Sequence, residues 1–214
     1  MATADVDKSL PRAEGRRQRR RELTRARLID AARTLAAAHT AESIGITDIT
    51  EAADVGTGTF YNYFSSRDEI LEAVAEESME TVGAALDRVM TELGDPAEVF
   101  AGSLRHLVRH ALTDPVWGWF IVRMGASHPK LLEILGPRAR RDLHRGLEAG
   151  RFEIQDLDLA VTCTFGSLIS AIRLALSDPA VPDRDQQFAV SMLCMVGVPP
   201  ADARTVAARP LPEV

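Results

Sequence analysis

Cysteine and aromatic residues are scarce in this chain, and long apolar runs and catalytic signatures are missing. Two cysteines among 214 residues, Cys163 and Cys194, make no disulfide framework. Their spacing suits no metal site, so two buried free thiols in apolar helical surroundings are expected. Aromatic residues amount to 5%, no apolar run approaches the ~18 residues that span a membrane, and the Arg-rich amino terminus lacks the apolar centre of a secretory signal. A folded, soluble, cytoplasmic protein is the expectation. There is no G-x-S-x-G elbow, H-E-x-x-H helix, phosphate loop or dinucleotide fingerprint, so catalytic residues, cofactor and metal are all expected to be none. An apolar content of 46% can still fill a full core in one large or two small domains.

The net charge of −6 argues against nucleic acid until its distribution is considered. Residues 12–33 hold nine arginines against Glu14, Glu22 and Asp30. The front of the chain attracts phosphate and the remainder repels it, which orients the molecule on a duplex.

The stretch from Ile46 to Phe64 carries the function. Ile46, Ile49, Ala52 and Ala53 fit one face of a short helix that Thr47 can cap. Asp54 tolerates the left-handed backbone of a tight turn, and Gly56 can cap a second helix starting at Thr57. The three-residue connection is that of a helix-turn-helix. The second helix buries Phe60 and Phe64, one turn apart, and turns Thr57, Thr59, Tyr61, Asn62 and Tyr63 outward: hydroxyls, an amide and aromatic edges suited to phosphates and base edges. Arg67 follows at a helix start, where a cation opposes the helix dipole and makes sense beside a phosphate.

The run from about Arg25 to Leu71 resembles the DNA-binding domain of the TetR family of transcriptional regulators. That family carries a pattern Gly-Val-Ser-x-Gly-Thr-Leu-Tyr-x-x-Phe followed by a basic residue; here the run reads Asp54-Val-Gly-Thr-Gly-Thr-Phe-Tyr-Asn-Tyr-Phe-Ser-Ser-Arg67. The departures are Asp54, Thr50, Gly56 and Arg67, where the family has Gly, Ala, Ser and Lys. Ala36 and Phe60 also exchange a large and a small side chain, which conserves core volume. The resemblance implies that Thr59, Tyr61, Tyr63 and Arg67 contact the DNA backbone and that Thr57, Gly58 and Asn62 face bases; Thr47 joins them as a DNA-binding candidate.

The expected fold is all-α: an amino-terminal three-helix DNA-binding domain with its helix-turn-helix, joined by a long helix to a carboxy-terminal helical ligand-binding and dimerisation domain. Residues 1–21 read as a flexible basic arm, either a solvated tail or a phosphate-contacting one. Residues 22–68 read as the DNA-binding domain, 69–198 as the ligand-binding and dimerisation domain, and 199–214 as a disordered tail after Pro199-Pro200. The only two tryptophans, Trp117 and Trp119, sit with Phe120 and Met124 in a concentrated apolar region. It is either core or the lining of a ligand cavity with Phe100 and with His106, His110 or Arg123 as polar anchors. The spacing of His106 and His110 could hold a metal, but nothing ties a third ligand to the pair. Arg138, Arg140, Arg141, Arg145 and Arg151 read as a solvated or salt-bridged face. The apolar segments 157–177 and 184–197 are either interior or a homodimer interface, and the resemblance favours the latter. Expected partners are therefore a palindromic double-stranded operator, a second copy of the chain and a small hydrophobic effector that releases a repressor, with no membrane.

Overall fold

The computed structural model describes residues 10–38, 44–124 and 129–213. Among these, ten helices follow one another without a strand: α1 (Leu10–Ala38), α2 (Ile46–Ala52), α3 (Thr57–Phe60), α4 (Arg67–Met90), α5 (Pro96–Thr113), α6 (Pro115–Met124), α7 (Pro129–Glu148), α8 (Leu157–Ser177), α9 (Arg184–Met195) and α10 (Pro200–Ala207). They form two compact units, Met1–Val74 and Ala75–Val214. The division falls inside α4, two turns beyond the expected boundary at residue 68.

In the first unit, Leu28, Ile29, Ala32 and Ala36 make the buried stripe of α1, which packs on α2, and Ile49, Ala53, Phe60, Phe64, Ile70 and Leu71 are buried with it. Phe60 is 0% and Phe64 3% exposed, and their rings lie 5.8 Å apart. The turn is built as the residues require. Asp54 takes φ 51°, and Gly56 in extended backbone precedes Thr57, the first residue of α3. Arg27 of α1 donates to the Ala53 carbonyl at 2.6 Å, so a cation closes the C-terminal end of α2, where the helix dipole favours one. α4 starts on a reciprocal cap: the Ser66 hydroxyl accepts from the Glu69 N–H at 3.1 Å, and the Ser65 N–H donates to Glu69 at 2.6 Å.

Two expectations in this unit are corrected. Thr47 does not cap α2. Helix α2 begins one residue earlier, Gly45 precedes it, and Asp48 accepts the Gly45 N–H at 2.8 Å. The basic segment is not a flexible arm over its described part, because residues 10–21 continue α1 without a break; arginine is a good helix former and Pro11 stands in the first turn, where proline is tolerated. Residues 1–9 lie outside the described residues.

The second unit is built round α5, which packs against α6, α7, α8, α9 and α10. Its start follows the expected rule, with Pro96 in the first turn and Asp95 accepting the Ala97 N–H at 3.0 Å. One ion pair lies inside: Arg105, 4% exposed, donates to Asp185 at 3.0 Å, and Arg109 reaches the same oxygen at 2.9 Å. The tail is a further correction. Ala203, Val206 and Ala207 of α10 are buried, and Arg209 beyond it pairs with Glu98 at 2.6 Å and Asp95 at 3.3 Å while its carbonyl accepts from Arg105 at 2.7 Å.

Helix α8 overturns two more readings. With 21 residues and a mean hydropathy of 1.7 over an 18-residue window it is long and apolar enough, by length and composition alone, to cross a membrane. Its outward stripe carries Leu159, Cys163, Ser170 and Leu174, with Leu159 59% and Leu174 55% exposed. Cys163 there and Cys194 on α9 are both exposed free thiols rather than buried ones, because each stands on the outer side of a helix whose other side fills the core.

Candidate DNA-reading face and effector cavity

The outer side of α3 is set by its inner one. With Phe60 and Phe64 buried, Gly58, Tyr61 and Asn62 fall away from their line, and these three and Thr57, at the helix start, are exposed, Tyr61 by 57%. Thr59 and Tyr63 are half-buried beside them. The helical hydrogen bonding runs past the short α3, since the Phe64 N–H donates to the Phe60 carbonyl at 3.0 Å. Thr47 is exposed on α2. Arg67 is half-buried and pairs with Asp68 at 3.0 Å, which offsets the unfavourable cation at a helix start. No acidic side chain interrupts the sequence from Val55 to Ser66, so the surface presents only neutral polar groups and backbone to a duplex.

The second unit holds a cavity of about 60 Å³ between α4, α5, α7 and α8. Its apolar wall is Leu86, Met90, Phe100, Leu104, Leu107, Leu135, Phe165 and Leu168, and its polar end is Asp87, Arg138, Arg141 and Asp142, with Ser103 and Thr164. Arg138 donates to Asp87 at 2.8 Å and to Glu80 at 2.9 Å, and Arg141 to Asp87 at 2.7 Å and Asp142 at 3.0 Å. The two carboxyls differ in character. Burial pushes Asp87 up, but hydrogen bonds from Arg138 and Arg141 outweigh it and hold it below its ordinary value. In Asp142 burial wins over the Arg141 contact and the carboxyl is raised. The cavity therefore offers a firm acceptor, an acid that holds its proton more readily, and two guanidinium groups, next to a surface for a flat apolar body. Gly83 makes room for this arrangement: a Cβ there would stand 2.9 Å from the Arg138 guanidinium carbon.

Two family models match the sequence of these units. The one described as "Bacterial regulatory proteins, tetR family" matches residues 28–74, and "Tetracyclin repressor-like, C-terminal domain" matches residues 95–209. The chain belongs to the TetR family. It is a DNA-binding transcriptional regulator, not an enzyme. The protein RolR, crystallised with resorcinol, is 63% identical over 92% of this chain and 98% of its own, with a TM-score of 0.83; RolR without ligand is 64% identical with a TM-score of 0.80, covering 88% and 98% of the two chains. The HTH-type transcriptional regulator AlkX of Mycobacterium tuberculosis is 25% identical over 91% of this chain and 92% of its own. An uncharacterised HTH-type regulator of the same organism is 30% identical over 103 residues, 48% of this chain; the chain spans about half the length of that relative.

Of the side chains that composition singles out for the effector, the structure brings only Phe100 to the cavity. Trp117 is 3% exposed in the core, edge-on to the His110 ring at 4.8 Å. Trp119 is 40% exposed on the surface, Phe120 packs against the core from its edge, and the side chain of Met124 lies outside the described residues. His106 and His110 are half-buried, and burial pushes both below the usual histidine value. The charged groups of this TetR-family cavity come instead from α4 and from α7, whose arginines read as a salt-bridged face. Such pairs exist here, but Arg138 and Arg141 make them from the cavity wall. The signal was Asp142, one acid standing on the buried side of α7 beside Leu135 and Leu143.

Proposed function

We propose that this regulator is a homodimeric repressor, acting in the cytoplasm, that leaves a palindromic operator when a small hydroxylated aromatic, of which resorcinol is the model, enters the α4–α5–α7–α8 cavity. The cavity carries the reading. At about 60 Å³ it favours a single ring, admitted as its side chains give way, over a long acyl chain, and it offers an apolar wall for the ring's faces and edges and charged hydrogen-bonding groups for hydroxyls. RolR, whose crystals hold resorcinol, shares 63% of aligned residues with this chain. Thr57, Gly58 and Asn62 are assigned to bases, Thr47, Thr59, Tyr61, Tyr63 and Arg67 to the backbone. The exposed apolar stripe of α8 and Met195 and Cys194 of α9 support association through the last long helices, since a patch of this kind on a monomer marks an interface.

Release follows from differential binding. A hydroxyl donating to Asp87 competes with Arg138 and Arg141 for the same carboxylate, and Asp87 and Glu80 belong to α4, whose first residue is Arg67 of the reader. An effector that prefers one setting of α4 shifts the spacing of two recognition helices away from the ~34–36 Å of one DNA turn. Gel-shift titration of the DNA beside the chain's own gene, with and without resorcinol, tests this. Affinity is expected to fall by roughly 5- to 150-fold, the usual range of coupling. Unchanged affinity would remove resorcinol-type effectors from the reading, and tighter binding would make the effector a co-repressor.

A further inference from the structure

The helical run of residues 10–21 creates a surface that the helix-turn-helix alone lacks. A trough of about 940 Å³ in the first unit is walled on one side by α1 and on the other by the α3 region, with Thr59, Asn62 and Tyr63 on the second wall. Arg17, Arg20, Arg21 and Arg27 line the first wall, and one acid, Asp54, stands 3.6 Å from Arg27, leaving the other three arginines as the strongest phosphate donors. Helical spacing explains their alignment, because positions 17, 20, 21, 24 and 27 recur at three and four residues and so share a face. Arg21 lies over the Tyr63 ring at 6.0 Å and Arg25 over Phe64 at 5.3 Å, which ties this half of α1 to the recognition segment.

We propose that the amino-terminal half of α1 is a second DNA-contacting element, a rigid helix whose Arg17, Arg20, Arg21 and Arg27 hold a run of phosphates in the trough beside the recognition segment. The inference rests on the DNA-binding function and adds a surface to it. Stability does not account for the arrangement: Arg16 and Arg20, and Arg17 and Arg21, are like charges one turn apart, each pair costing a few tenths of a kcal/mol in a helix. A polyanion reverses that cost. From Arg17 to Arg27 the helix rises about 15 Å, the axial span of about four phosphates on one strand at roughly 3.4 Å each. The proximity of Asn62 to the same trough puts base contact and backbone contact on adjoining walls, so the helix extends the footprint outward from each half-site.

Salt dependence of binding to mixed-sequence double-stranded DNA separates the possibilities, because phosphate contacts are independent of sequence. Arg17→Gln/Arg20→Gln should flatten the slope of log affinity against log salt by about 1.8 per bound protomer, so that over a fourfold rise in salt the wild type loses about twelvefold more affinity than the variant. Arg19→Gln/Arg33→Gln removes the same charge from the opposite side of α1 and should change the slope less. Leu23 is 66% exposed; Leu23→Pro keeps every charge but breaks the helix within the trough, so that Arg17, Arg20 and Arg21 lose their alignment while the core from Leu28 onward is untouched. It should lose the slope as the first pair does, and Leu23→Ala should not. Equal slopes for the two double variants would overturn the trough, and a wild-type slope for a folded Leu23→Pro would replace the rigid helix by a flexible arm. Failure of the wild type to bind any DNA would instead sink the functional reading itself.

Discussion

Replacing Gly83 by alanine should separate effector binding from stability. The new Cβ would stand 2.9 Å from Cζ and 3.0 Å from Nε and Nη1 of Arg138, closer than such atoms approach, so the guanidinium must move. It is the far end of a flexible side chain and can swing away without disturbing the backbone. The swing gives up the Arg138 bonds to Asp87 at 2.8 Å and Glu80 at 2.9 Å; pairs this accessible contribute about 0.2–1 kcal/mol each. Against that, alanine gains roughly 0.8–1 kcal/mol over glycine inside a helix. The two effects nearly cancel, and the melting temperature should stay within a few degrees of the wild type. Affinity for resorcinol, measured by calorimetry, should nevertheless fall about tenfold or more, since losing one charge-assisted hydrogen bond and the place for it costs about 1.5–3 kcal/mol. Unchanged resorcinol affinity would refute the role given to Arg138. A strongly lowered melting temperature would show that Gly83 serves packing.

Other variants probe other parts. Asp142→Asn should melt above the wild type at neutral pH: the folded carboxyl is raised, so stability is fully present below its unfolded value of 3.8 and is lost as pH rises through the folded value. The advantage should vanish on approach to pH 3.8, and a variant less stable at both ends would show that the Arg141 bond dominates. Phe60→Ala empties a fully buried position and should cost about 3–5 kcal/mol; DNA binding should fail at a temperature where tryptophan fluorescence, confined to the second unit, is still native. Leu159→Glu/Leu174→Glu places charges on two side chains already exposed, so sedimentation should show folded monomers; a persisting dimer would move the interface elsewhere.

The parts legible in the sequence are those whose physics is local. The left-handed Asp54, the cap at Gly56, the burial of Phe60 and Phe64 and the Pro96 start of α5 follow from a few adjacent residues, and the structure places each as read. The cavity needed more. Asp87 and Arg138 are 51 positions apart and meet only because the fold brings α4 and α7 within reach of their long side chains, which no helical period reports. Trp117 and Trp119 drew attention by rarity, yet one is core and the other faces solvent. The carboxy-terminal segment was misread although its signal was present: Ala203, Val206 and Ala207 recur at three and four residues, but small side chains among arginines make a faint stripe, and the prolines before them suggested a break. The basic run was misread for a related reason, since a helix that buries nothing shows no hydrophobic period.

Fastening of the second unit by its last residues also sets an order in time. The first unit has its own buried centre within its 74 residues, whereas Arg209 must be present before Glu98 gains its ion pair and Nη1 of Arg105 its carbonyl acceptor. Ribosomes add roughly 5–20 residues per second, so the 135 residues from Ala75 to Arg209 occupy about 7–27 s. Throughout that interval a nascent chain carries a complete reader and an open sensor. On the dimeric reading proposed above, recognition divided between two half-sites holds each such nascent chain to the weak affinity of one.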